Sequence, residues 1–184
     1  MKLKLNNVRL AFPSLFEAKT VNGEGEGDPR FSAVFLMSPK HPQLEEIRKA
    51  MKQVAKEKWG EKWEPIYNQL EKKLNLCLHD GDEKAEYEGF PGNFFLNAAN
   101  KARPAVLDRD RSPLIQADGR PYAGCYVNAV IDIWAQDNNF GKRINASLGG
   151  VQFLRDGDAF AGGGVASADD FDDISEGADA EALI

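Results

Sequence analysis

The stretch CYVNAVIDIWAQDNNFGKRINASLGGVQFLR, residues 125–155, decides the fold. It predicts two long strands joined by a short turn. Side chains alternate along a strand, so Cys125, Val127, Ala129, Ile131 and Ile133 share one face. That face is uniformly apolar and belongs in a core. Tyr126, Asn128, Val130, Asp132 and Trp134 share the other, which mixes aromatic and polar groups as a working surface does. Asp137-Asn138-Asn139-Phe140-Gly141 supplies residues that tolerate the backbone angles of a tight turn. Lys142 and Arg143 follow, and the return strand runs through Ile144, Ala146 and Leu148. Gly149-Gly150 can bend that strand sharply, as at the corners of small barrels.

Working outward, Lys2 to Phe12 alternates as a strand with an irregularity at Asn6-Asn7. Arg30 to Met37 is a second strand with Phe31, Ala33, Phe35 and Met37 on one face, and Asn93 to Asn100 is a third. Pro104 to Leu107 is a short apolar run. Residues 18–29, 79–93 and 108–124 read as loops rich in turn-forming or charged residues. Between the strands the period changes. Ser38-Pro39 suits a helix start, and Leu44, Ile47, Met51, Val54 and Ala55 recur at helical spacing until Gly60. A second helix runs from Lys62 or Glu64 to about Asn75, with the stripe Trp63, Ile66, Tyr67, Leu70 and Leu74. Trp59 and Trp63 belong to helix packing. The fold expected is mostly β: an OB-fold-like small antiparallel barrel over residues 1–160, with a two-helix insertion at about 39–76. Residues 161–184 follow as a flexible, disordered acidic C-terminal tail beyond the Gly162-Gly163-Gly164 hinge.

Composition narrows the function classes. With 184 residues, 42% hydrophobic and 28% charged, the chain is an ordinary globular domain with an appendage. No apolar run reaches the roughly 18–20 residues of a membrane span, and no signal segment opens the chain, so a cytoplasmic protein without membrane contact is expected. Cys77 and Cys125 read as isolated thiols. The formal charge of −6 is unevenly placed. Seven of the 29 acids lie in residues 165–184, which hold no Lys or Arg, leaving 22 acids against 23 bases in the body.

Catalytic and metal chemistry finds little support in the pattern. Cys77-Leu78-His79 lacks a second pair at zinc-ligand spacing, and Asp80-Gly81-Asp82 has Ala85 and Pro91 where a calcium loop needs Gly and an acid. No metal, cofactor or catalytic residue is assigned. A metal-dependent nuclease or resolvase using Asp80, Asp82 and Asp108 stays open as an alternative, although these read as solvated charges and Asp108-Arg109-Asp110-Arg111 as self-compensating. An adaptor protein acting through its tail is another.

The second half carries the stronger signal. Between Asn93 and Arg155 eight basic residues face five acids, and aromatic residues are interleaved with them. A cationic groove with aromatic platforms is what sequence-tolerant binding of a single nucleic-acid strand requires. The candidate contacts are Lys101, Arg103, Arg109, Arg111, Arg120, Tyr122, Trp134, Phe140, Lys142 and Arg143. In the tail, Asp169, Asp170, Asp172 and Asp173 with the apolar tip Leu183-Ile184 can bind a basic, apolar-lined partner or fold back over the protein's own groove.

The segments FLNAANKARPAVLD (95–108) and YAGCYVNAVIDIWAQDNNFGKRINASLGGVQFLRDGDAF (122–160), the opening RLAFPSLFEAK (9–19) and the acidic tail resemble a family of bacteriophage single-stranded DNA-binding proteins. The resemblance covers nearly the whole chain. It implies an OB-fold that coats single-stranded DNA during phage replication and recombination, with a helical insertion and an acidic tail that engages phage or host replication and recombination proteins. Self-association on DNA stays open. Such tails commonly end on an aromatic residue and this one ends on Ile184, which leaves the tail's partner open. The contact residues above rest on charge and aromaticity, not on the resemblance.

Overall fold

The first strand, β1 (Lys2–Lys19), turns Leu3 and Leu5 inward and then breaks step. Asn7 takes a φ of 54°, and the ladder to the next strand but several jumps from Leu5↔Ala129 to Val8↔Val127. This bulge lies where Asn6-Asn7 interrupts the alternation, and it returns Val8 and Leu10 to the core. The computed structural model describes residues 1–20, 27–160 and 171–175. β1 runs seven residues beyond Phe12, through a second irregularity at Pro13, so the loop expected at 18–29 starts later.

The remaining strands are β2 (Arg30–Met37), β3 (Leu78–Asp80), β4 (Phe94–Asn100), β5 (Ala105–Leu107), β6 (Tyr126–Asn138) and β7 (Gly141–Arg155). β1, β2, β4, β7 and β6 pair in that order, and β6 pairs back with β1, which closes a five-strand barrel. The closing contact between β4 and β7 is parallel, at Ala99↔Ser147, and the Asn100 amide fastens it by donating to the Leu148 carbonyl at 3.1 Å. β3 and β5 are short edge strands on β4 and β7. The interior is apolar: Leu5, Leu10, Phe35, Leu96, Ile131, Ile133 and Ile144 are fully buried. Each such side chain contributes about 1.5–3 kcal/mol.

The glycine corner lies where expected. Val130 faces Gly150 while Ile131 faces Leu148, so Gly149 is the extra residue of a bulge. A Cβ on Gly149 would stand 3.2 Å from the Val130 carbonyl oxygen, and one on Gly150 3.2 Å from that of Ala105. Close approach of three strands leaves little room for a side chain at either position.

The insertion consists of α1 (Leu44–Trp59) and α2 (Trp63–Lys72). α1 packs Leu44, Ile47, Met51, Val54 and Ala55 onto the barrel, and Gly60 ends it at a φ of 57°. The helix does not start at Ser38-Pro39. His41 N–H donates to the Ser38 carbonyl at 3.0 Å in a turn, and Pro42 disfavours helical backbone at His41, which delays the helix to Leu44. Tyr67 and Leu70 are the buried face of α2, but Leu74 lies past its end at a φ of 59° and is exposed. Residues 79–93 are more ordered than a polar loop. They hold β3, a turn of 3-10 helix at 81–84 and the fully buried Phe90. Gly81 permits this, since a Cβ there would stand 1.9 Å from the Phe90 carbonyl oxygen. The expected acidic tail lies outside the described residues except for the exposed 171–175. Among the described residues no helix is long and apolar enough to cross a membrane.

Candidate nucleic-acid interface

A groove of about 1100 Å³ crosses the outside of β2, β4 and β7. The register explains its shape. Ser32 on β2 faces Ala99 on β4, which faces Ser147 on β7, so the floor is made of small side chains. Val34 and Asn97 form the adjacent row, and Asn145 pairs with Trp134 on β6. Aromatic rings stand at both ends. Trp134 is 41% exposed, Phe12 51% and Tyr87 41%. The Phe12 and Tyr87 rings meet edge to face at 5.0 Å, and buried Phe90 supports both from below. Phe12 reaches this position at a φ of 45°, in the β1 irregularity before Pro13.

The groove's charge departs from that of the whole chain. Arg30, Lys84, Lys101 and Arg143 line it, and among the described residues no carboxylate does, in a protein with 29 acids and 23 bases. Arg143 is aimed by donating to the Asn75 side chain at 2.9 Å, and Lys84 lies 5.5 Å over the Phe95 ring. Lys101 pairs with Asp28 at 2.6 Å, and this neighbour holds the Asp28 carboxyl below its usual range. Both partners are mostly exposed, so the pair is weak and a phosphate can displace it. His79 stacks on Phe95 at 4.9 Å with Glu83 at 3.3 Å from its ring. Burial lowers its pKa against the opposing pull of Glu83.

Of the ten contacts predicted from the sequence, Lys101, Trp134 and Arg143 line the groove. Phe140 and Lys142 stand at the tip of the β6–β7 hairpin that leads out of it, with Lys142 3.6 Å from Asp137. Arg103 is turned away, donating to the Phe16 carbonyl at 2.8 Å and lying over the Phe31 ring. Arg109 and Arg120 lie over Phe153, eight residues along β7 from Asn145, and Arg111 is in the adjoining turn. Tyr122 packs against the core and donates its hydroxyl to Asp156 at 2.7 Å; burial raises its pKa, and so does Asp156. The structure thus places these five apart from the groove. Arg30, Lys84, Phe12 and Tyr87 were not among the predicted contacts. An aromatic set in a run of acids (Tyr87) and one before a strand-breaking proline (Phe12) were the available signals. Of the tail residues, Asp172 and Asp173 are exposed, while Asp169, Asp170, Leu183 and Ile184 lie outside the described residues.

The carboxylates considered for metal chemistry are engaged otherwise. Asp80 accepts from Asp82 N–H at 2.9 Å, and Asp82 accepts from Gly92 N–H at 2.9 Å. Asp108 is held first by Arg120, at 2.5 Å, and also accepts from the N–H of its neighbour Arg109 at 2.9 Å, and both lower its pKa; Asp110 accepts from the Ser112 N–H. Among the described residues no three His, Cys, Asp or Glu side chains come together. Burial pushes the Cys77 thiol up to about 12, so it is no nucleophile.

A closed barrel with an open, cation-lined groove, small side chains on its floor and aromatic rings at its ends is a module for an extended anionic chain, not for a compact ligand. The chain belongs to the family described as Enterobacter phage Enc34, ssDNA-binding protein, whose model matches residues 1–183. It is 54% identical, over all of its length and 99% of the relative's, to protein p50 of Acyrthosiphon pisum secondary endosymbiont phage 1. The structure is similar to that of the single-stranded DNA-binding protein from bacteriophage Enc34 in complex with ssDNA, with a TM-score of 0.72 and 28% identity, covering 87% of this chain and 89% of that one. It also shares its fold with gp2.5, a single-stranded DNA-binding protein of bacteriophage T7, at a TM-score of 0.58 and 10% identity over 84% of this chain and 91% of that one.

Proposed function

We propose that this protein binds and coats single-stranded DNA without strong sequence preference during phage DNA replication and recombination, in the cytoplasm of the host, and makes or breaks no bond in it. The observation that carries this is the groove: four cations and, among the described residues, no carboxylate in its lining, on a protein whose formal charge is −6. Phosphates displace the weak Lys101–Asp28 pair and lie along Arg30, Lys84 and Arg143, while bases stack on Phe12, Tyr87 and Trp134. The small side chains of the floor leave room for the strand and read no base, which suits sequence-tolerant binding. The Enc34 protein's complex with ssDNA supports the same reading. The acidic tail, through Asp169, Asp170, Asp172, Asp173 and the Leu183-Ile184 tip, recruits replication and recombination proteins and competes with DNA for the groove.

The test is a titration of fluorescent dT oligomers of graded length at low salt, with Mg²⁺ present. Affinity should rise with length and level off within the range of about 4–16 nucleotides typical of one such barrel, with the DNA left intact. No binding at low salt overturns the reading, and Mg²⁺-dependent cleavage replaces it with a nuclease.

A further inference from the structure

The tip of the β6–β7 hairpin carries an aromatic residue that the fold does not use. Phe140 is 92% exposed, in a two-residue turn between Asn138 and Gly141. Turns favour small polar residues, and among the described residues the ring is left almost wholly exposed, so folding does not account for it. The tip is nevertheless held firmly. Trp59 at the end of α1 donates its indole N–H to Asp137 at 2.9 Å. Arg143 donates to the Asn75 side chain at 2.9 Å, and the backbone N–H of Ile144 donates to the Asn75 carbonyl at 3.1 Å. The helical insertion thus buttresses both arms.

The same hairpin continues the groove. Asn145, beside Trp134, donates to Gln136 at 2.8 Å; Gln136 donates to Asn138 at 3.2 Å; and Asn138 accepts from the Phe140 N–H at 2.9 Å. This ladder of amides leads from the groove past Trp134 to the exposed ring, with Lys142 and Arg143 on the returning strand. A strand leaving the groove at this end arrives at Phe140.

Resting on the single-strand reading above, the geometry points to a second role for the hairpin: Phe140 stacks on the terminal base pair where the bound strand enters a duplex. The protein then seats preferentially at junctions between single and double strands. A flat ring standing clear of the groove, rigidly supported and flanked by two cations, suits the broad face of a base pair and the duplex phosphates beside it. A free base is already served by Trp134. Because the groove has two different ends, only one of the two strand polarities brings the duplex to the tip.

The experiment compares the full chain on a labelled dT oligomer with the same oligomer carrying a blunt duplex at its 5′ or its 3′ end. One tailed duplex should bind about five- to a hundredfold more tightly than the plain oligomer, the range of aromatic–base stacking. Phe140→Ala should bring that ratio to about one, and Phe140→Tyr should keep it. A 2-aminopurine at the terminal pair should report the contact in wild type and lose it in Phe140→Ala. A ratio of one in wild type, or one that Phe140→Ala leaves unchanged, overturns the proposal. So does a change in sedimentation coefficient of Phe140→Ala at matched concentration without DNA, which assigns the ring to a second copy of the chain. Failure to bind the plain oligomer at all instead removes the single-strand reading.

Discussion

Trp134 points outward because Ile131 and Ile133 point inward, and its partner across the ladder, Asn145, lies on the groove side of β7. Replacing it by Ala should therefore weaken dT binding about five- to a hundredfold, the equivalent of about 1–3 kcal/mol of stacking. The melting temperature should hardly change; a drop of many degrees would make it a core residue instead. Tryptophan quenching by DNA is cleanest with Trp59 and Trp63 replaced by Phe. His79 gives a pH signature. Its folded pKa lies below the ordinary 6.5, so the unfolded chain binds more protons just below that pH, and stability is lost as pH falls through the usual histidine range. Melting followed from pH 8 to pH 5 should show that slope in wild type and a flatter one in His79→Gln; equal slopes would place the titration elsewhere. Alternation makes the direction of Trp134 legible in sequence, since one strand settles it. Phe12, Arg30 and Tyr87 could not be read this way. They meet only because β1, β2 and the 81–92 segment converge, and no local pattern encodes that convergence.

Between residue and molecule, the hairpin, the glycine corner and the helical insertion were readable because each has a strict period or a turn signal. The 79–93 segment was not. Phe90 is a lone buried ring in a polar run, and periodicity says nothing about a single residue. Its fixing depends on Gly81, so Gly81→Ala should cost about 1–3 kcal/mol, as overpacking does, and should loosen Tyr87 from the groove. Urea unfolding checks the first effect and dT affinity the second; wild-type values of both would mean that the segment relaxes freely. On the other side of the groove, Trp59→Phe keeps the packing and removes the donor to Asp137. It should lower stability by about 0.5–1.5 kcal/mol and speed hydrogen exchange at residues 135–143. Unchanged exchange there would show that the hairpin stands without the insertion.

For the whole molecule the division of charge matters more than its sum. The chain at large is acidic, the body is near neutral, and the groove is cationic, with no carboxylate among the described residues that line it. Net charge alone would have argued against nucleic acid; its division along the chain, and then the folded arrangement of Arg30, Lys84, Lys101 and Arg143, resolve the conflict. Removing residues 165–184 takes the formal charge from −6 to +1 by deleting seven acids, which on the proposed function compete with phosphate. The truncated protein should bind dT more tightly at low salt, with a gain that shrinks as salt rises, since screening shortens the reach of the tail's charge. The groove itself is tested most directly by the salt dependence of dT binding in wild type and in the triple variant Arg30→Ala, Lys84→Ala, Arg143→Ala. Each phosphate contact contributes about −0.7 to the slope of log affinity against log salt. Three lost contacts should therefore flatten the slope by about 2 and weaken binding most at low salt, in a protein that melts as wild type does. A triple variant with the wild-type slope and affinity would contradict the assignment of this groove to DNA.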